Sequence, residues 1–310
     1  MKFVKILICL FLSVFGIFSI LAAALGAYSV LSSCEIHLSS EKIFSLKEDG
    51  FTPYGFCKVP DGFLVSGNRD GGEAGIYLVR EEGEKSYTAL LDEYFDPLSS
   101  RVGGACFFDD FIYIACGENI LVYYYEDFLM GLNEAEYYER VETVGGADWC
   151  TVYGGLLYVG SSQAHSEETN SSLITVFDVD ENIRYGININ PICIISAPEA
   201  TQGMAVSYDG VILSVGEGFD SRLQFHKFDR YNYDYQTVIK EEEETEYLTF
   251  HLDSNSLIRE ISAPYSTSDI LHNDGTLYLL GAKNNLPFLK EVYSERLFSI
   301  PLKKEYFEKE

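Results

Sequence analysis

The chain has 310 residues, with 48 acidic against 22 basic side chains and a formal net charge of −26. A body this acidic is repelled by nucleic acid and by anionic lipid headgroups, which excludes both as surfaces for it to lie on. Aromatic residues make up 15% of the chain and proline only 8 positions, a composition that suits pleated, half-buried strands more than helices.

The N-terminus opens with Lys2 and Lys5, followed by 26 uncharged residues from Ile6 to Leu31. That run is long enough to cross a hydrocarbon core of ~30 Å as a tilted helix. The apolar part of a cleaved signal peptide is usually shorter, about 7–15 residues. Both cations precede the run and none follows it closely, so the N-terminus is expected in the cytoplasm and the remainder outside. Two processing alternatives stay open. Leu31–Cys34 resembles a lipobox whose cysteine is lipidated, and Ala22–Ala27 offers small residues to a signal peptidase. All three assign 1–34 to an anchor or signal segment and 35–310 to an extracytoplasmic domain. The two lysines are the only charges before residue 35, so that domain carries −28.

From residue 55 a phrase recurs five times: apolar strand, tight turn, apolar strand, glycine. It occupies Gly55–Gly67, Gly104–Gly117, Asp148–Gly160, Gly203–Gly216 and Asp269–Gly281. The turn glycines or their equivalents fall at 62, 110, 155, 210 and 275, at intervals of 48, 45, 55 and 65. Asp-Gly and Gly-Gly pairs supply the positive φ angles of two-residue hairpins, and units of this length mark propeller blades of four strands. Third strands are expected at 75–79, 119–125, 172–177, 222–228 and 296–300. More polar fourth strands are expected at 86–91, 138–144, 187–195 and 235–240. The one helical candidate, Tyr125–Glu139, is interrupted by Gly131.

The long last interval holds two further strands, Thr245–Asp253 and Leu257–Ile261, either an insertion in the fourth blade or the remnant of another. Glu41–Leu46 is placed to pair with the last blade and close the ring, which protects sheet edges. The expected fold is all-β, a propeller of five or six four-stranded blades after an N-terminal transmembrane helix. A β-sandwich is the rival, but a sandwich has no reason to repeat a whole sheet.

The phrases Gln202–Val206, Gly103–Ala105 and Leu252–Ile261 resemble bacterial extracytoplasmic propellers of the broad NHL, YVTN and gluconolactonase-like group. The resemblance spans roughly residues 41–302 and rests on repeat grammar, so it implies a fold and hardly a chemistry.

Of the seven cysteines, Cys9 lies in the apolar run and Cys34 follows it. Cys57, Cys106, Cys116, Cys150 and Cys193 form no Cys-x-x-Cys pair, so no zinc or redox motif is present. Cys57 and Cys150 take the same repeat position, which reads as a small buried apolar site. Cys106 and Cys116 share a hairpin without standing opposite each other; the disulfide state of all five stays open. His226 and His251 fall in strand patterns and read as structural. His37, His165 and His272 stand apart from them, and His165 lies in the polar loop Ser161–Ser172. Asn170–Ser172 matches a glycosylation acceptor.

No nucleophile elbow, phosphate loop, dinucleotide fingerprint or zinc-protease motif occurs. Geometry offers a ring instead. In a propeller, the residues entering each innermost strand rim the central channel. By repeat position these include Thr52, Tyr54, Arg101, Asp148, Trp149, Thr201, Gln202, Ser268 and Asp269. Convergent polar groups around one aromatic suit a small polar ligand or sugar. Arg101, Asp148, Trp149, Gln202, Ser268 and Asp269 are therefore the candidate ligand-binding residues, and no catalytic residue is assigned. The expectation is a membrane-tethered propeller that binds a small polar ligand, a carbohydrate or an envelope protein, and no nucleic acid. A structural part of an envelope complex is a further reading. The alternative is a hydrolase or lactonase using a divalent metal held by Asp148 and Asp269 with help from Gln202. That site lacks a first-blade Glu, because Thr52–Gly55 offers none.

Overall fold

Hairpin chemistry sets the unit. In the third repeat Gly154 and Gly155 have φ of +61° and +79°; in the fifth, Asp274 and Gly275 have +48° and +74°. Both pairs meet the requirement of a type I′ turn, whose twist matches the flanking strands. The first repeat turns instead through Pro60 and Asp61. Gly62 already belongs to the second strand, where a Cβ would lie 2.1 Å from Val79 O.

The computed structural model describes residues 39–41, 50–80, 83–162, 171–240, 243–264, 267–281 and 297–308. Residues 6–31, Cys34, His37, His165 and Asn170 lie outside them. Among the described residues no helix is long and apolar enough to cross a membrane.

The described residues form five blades, which settles the choice between five and six. Blade one is β2 (Phe51–Val59), β3 (Gly62–Arg69), β4 (Ala74–Arg80) and β5 (Lys85–Leu91), paired antiparallel in that order. Blade two is β6 (Val102–Phe108), β7 (Phe111–Tyr124) and β9 (Glu139–Ala147). Its β7 folds back on itself at Gly117, where φ is +65°. Tyr125 N–H donates to Asp110 O at 2.8 Å, and the Phe111 and Tyr124 rings lie 5.1 Å apart. One half pairs with β6 and the other with β9, which restores four strands.

Blade three is β10 (Trp149–Tyr153), β11 (Leu156–Gly160), β12 (Ser171–Asp178) and β13 (Cys193–Pro198). Its fourth strand starts later than expected. Gly186, at φ +70°, ends a 3-10 turn there, and Ile187 makes only an isolated bridge to Val179. Blade four is β14 (Thr201–Val206), β15 (Val211–Val215), β16 (Arg222–His226) and β19 (Leu257–Ser262). Blade five is β20 (Thr267–Asn273), β21 (Thr276–Gly281), β22 (Leu297–Pro301) and β1 (Ser39–Glu41). Pairing of β1 with β22 closes the ring with both ends of the chain.

Two excursions reach back to the preceding blade. After β7, the short helix α1 (Tyr125–Leu129) ends before Gly131, at φ +67°. Then β8 (Glu134–Glu136) adds in parallel to β5. After β16, the hairpin β17 (Tyr233–Lys240) and β18 (Glu243–His251) leaves blade four, and β18 adds in parallel to β13. The segment expected as the fourth strand of blade four is thus an insertion, and β19 takes that place. The hairpin docks because Val238 buries against Leu173 and Ile194 of blade three.

Besides the cluster around Val238, the core is divided among five interblade clusters. They join blades one and two, two and three, three and four, four and five, and five and one. Each innermost strand touches both neighbouring innermost strands, so β2, β6, β10, β14 and β20 surround one axis.

Candidate functional site

The start of each innermost strand carries a register slip in four of the five blades. Pairing skips Tyr54, Gly103 with Gly104, Gln202 and Ser268. A bulge re-aims the side chain it leaves unpaired. In blade three Asp148 precedes β10 at the same place. The repeat position chosen from the sequence is therefore a recurring structural device.

Around the axis the main chains meet closely. A Cβ on Gly55 would lie 2.2 Å from Gly104 Cα, and one on Gly103 would lie 1.8 Å from Asp148 O. Gly104 N–H donates to Asp148 O at 2.9 Å. Trp149 Nε1–H donates to Thr201 O at 3.0 Å. A Cβ on Gly203 would lie 3.0 Å from Ile270 N. Phe56 N–H donates to Asp269 Oδ2 at 3.2 Å and returns the circuit to blade one.

The six candidate residues divide into two levels. Trp149 and Asp269 are 1% and 2% exposed. The indole lies against Gly160, where a Cβ would be 2.1 Å from Cζ2. Asp269 accepts Phe56 N–H and its neighbour's N–H, Ile270, at 2.9 Å. Burial pushes its carboxyl well above the ordinary range, against the pull of those two donors. Both side chains are committed to joining blades and are not presented to a ligand.

The other four stay at or near the surface. Arg101 is exposed, its guanidinium 4.4 Å from the Tyr54 ring centre. Asp148 is half-buried, and its Oδ2 accepts Ser161 Oγ at 2.9 Å and both Ser162 N–H and Ser162 Oγ at 2.8 Å. Gln202 Nε2 donates to Glu217 Oε1 at 3.3 Å, and Ser268 Oγ donates to Leu280 O at 3.2 Å. Like Tyr54, all four stand at or just before the start of an innermost strand.

Below the rim lies a cluster that sequence spacing had only partly shown. Cys57, Cys106 and Cys150 come from three successive innermost strands and are all buried. Burial pushes the Cys57 and Cys106 thiols up; Cys106 hydrogen-bonds Cys150, and the Asp269 carboxyl adds to the effect. Cys150 Sγ donates to Gly104 O and Tyr113 O, each at 3.5 Å. These thiols are packing groups, as is usual for buried free cysteine. Among the described residues no cysteine is in a disulfide.

Among the described residues, two cavities are placed away from the axis. One of about 600 Å³ is lined by Phe228, Tyr231, Asn232, Asn255 and Lys227, where the β17–β18 insertion leaves blade four. The other, about 240 Å³, lies beside Ser100, Cys116, Glu118 and Arg140. The aromatic run Phe228–Tyr235 was the available sequence signal for the first. Among the described residues no group of three or more His, Cys, Asp or Glu is placed to hold a metal ion.

No family model and no curated protein matches this chain. Similar solved structures include a glutaminyl cyclase from Myxococcus xanthus, 10% identical over 81% of this chain and 90% of that one, with a TM-score of 0.44. A putative oxidoreductase (glucose dehydrogenase) from Thermus thermophilus is 12% identical over 85% of this chain and 100% of that one, with a TM-score of 0.47. The WD40 domain of Toxoplasma gondii coronin is 10% identical over 81% and 73%, with a TM-score of 0.41. Likeness this distant carries no activity, substrate or partner to this chain. The β-propeller fold rests on the five blades themselves.

Proposed function

We propose that this chain is a non-catalytic binding propeller, tethered to a membrane by residues 6–31, with the propeller on the extracytoplasmic side. The rim of Tyr54, Arg101, Asp148, Gln202 and Ser268 takes a small polar ligand or the polar surface of an envelope partner. The observation that carries this reading is the bulge that re-aims Tyr54, Gln202 and Ser268 at the start of three innermost strands, with Arg101 and Asp148 just ahead of the other two. Groups placed at strand ends and loops on a rigid scaffold are the usual setting for binding. The tether is supported by the uncharged run after Lys2 and Lys5.

The metal-dependent hydrolase reading meets two obstacles. Three donors already occupy Asp148 Oδ2, and both Asp269 oxygens accept backbone N–H groups inside the closed layer. The test is thermal unfolding of the full chain against a panel of monosaccharides, disaccharides and polar amino acids. At least one should raise the midpoint, and Gln202→Ala should abolish the rise. A rise only with divalent metal, with hydrolysis of a lactone, would replace this reading with the hydrolase.

A further inference from the structure

Exposed aromatic side chains gather along one strand. β17 ends the six-stranded sheet of blade three, so one of its edges meets no other strand among the described residues. Its register with β18 decides which backbone groups face that edge. His251 N–H donates to Asn232 O at 3.2 Å, and the register continues from Tyr233 opposite Phe250 to Lys240 opposite Glu243. Alternation in an antiparallel ladder then turns Asp234, Gln236 and Val238 toward β18. The N–H and C=O groups of Tyr233, Tyr235 and Thr237 point outward.

This edge keeps only part of the usual protection, the charges of Asp234 and Lys240. Natural edges are blunted by proline, bulges, inward charges or short length. β17 has eight residues, no proline and an unbroken register. Tyr233 and Tyr235 are 50% and 63% exposed, on the face opposite buried Val238. The fold already uses strand addition at blade edges, since β8 joins β5 and β18 joins β13.

We infer that the outer edge of β17 takes an extended, basic segment of a partner protein by strand addition. Charge decides between the two occupants that such an edge admits. Residues 229–251 carry seven carboxylates against Arg230 and Lys240. Glu246 stands opposite Thr237 on the tyrosine face and is exposed. A second copy would bring another −26 to this edge. An incoming lysine or arginine gains both the carboxylates and the faces of Tyr233 and Tyr235. The backbone ladder supplies affinity and alternate side chains supply selectivity. This inference is independent of the rim.

The test uses the full-length chain and a fluorescent ten-residue peptide of alternating lysine and valine. Its controls are the glutamate–valine counterpart and the lysine peptide N-methylated at alternate residues. The lysine peptide should bind, and N-methylation on the pairing side should weaken it about tenfold or more, because several backbone bonds are lost. Amide exchange at Tyr233, Tyr235 and Thr237 should slow on binding, while Asp234 and Gln236 change little. A variant Tyr235→Pro should lose binding; the methylated peptide gives the same answer without altering the protein. Equal affinity for the methylated and unmethylated lysine peptides would overturn the inference, leaving only general charge attraction. So would equal binding of the glutamate peptide, or a concentration-dependent dimer that protects the same three amides.

Discussion

At the scale of single residues, burial decides what a polar group does. Trp149 and Asp269 share repeat positions with the rim, yet both are enclosed between blades. Trp149→Ala should cost ~3–5 kcal/mol of stability, the usual loss for a large buried aromatic, whereas Arg101→Ala removes an exposed cation–π contact of ~0.5–1 kcal/mol. Asp269→Asn should cost ~1–3 kcal/mol, because the new amide nitrogen would face either Phe56 N–H or Ile270 N–H. Chemical denaturation checks all three, and an Asp269→Asn variant as stable as the parent would contradict the assigned contacts. His226 is enclosed beside Ser256 Oγ at 2.9 Å, and burial pushes its pKa down to about 4, with Asp253 opposing. Unfolded, it titrates near its ordinary ~6.5. The unfolded chain therefore binds the proton more readily. The contribution of this neutral imidazole is full above about pH 6.5 and is lost as pH falls toward 4, by up to ~3 kcal/mol. Unfolding free energies between pH 7 and 4 should fall less in His226→Gln than in the parent; parallel curves would refute it.

At the scale of elements, glycine at the axis is a spacing requirement. Gly103→Ala places a methyl carbon 1.8 Å from Asp148 O, so β6 and β10 must move apart and the variant should be destabilised by ~3 kcal/mol or more. Gly83→Ala is the control: its φ is positive but it has nothing within 4 Å, and it should cost only ~1 kcal/mol of backbone strain. Equal midpoints for the two variants would show that the inner strands do not pack as described. Most elements were legible in the sequence, because each hairpin pairs turn residues with alternating apolar ones. The fourth strand of blade four was not. Tyr233–Lys240 has a better strand pattern than Leu257–Ser262, and only the tertiary choice of Val238 for Leu173 and Ile194 assigns it to blade three. The start of each innermost strand was legible by repeat position; the burial of Trp149 and Asp269 there was not, because it depends on packing between blades.

At the scale of the whole molecule, closure and charge set the working conditions. The ring is closed by β1 on β22, so the segment after the apolar run becomes part of blade five. Removing residues 1–41 should expose the edge of β22 and lower the unfolding midpoint, with aggregation as the visible result. Full retention of midpoint and monomeric state would show that β1 is dispensable. The proposed orientation is read by protease added to intact cells, which should cut a C-terminal tag; protection of that tag until lysis would reverse the topology. The central claim is that the rim binds and the layer beneath it only holds blades together. The most direct measurement is ligand affinity, by calorimetry, of Arg101→Ala and Gln202→Ala beside the parent, for whichever polar compound stabilises the full chain. The account predicts parental unfolding midpoints for both variants with affinity reduced about tenfold or more. Unchanged affinity in both, at parental stability, would contradict it and move the binding site away from the axis.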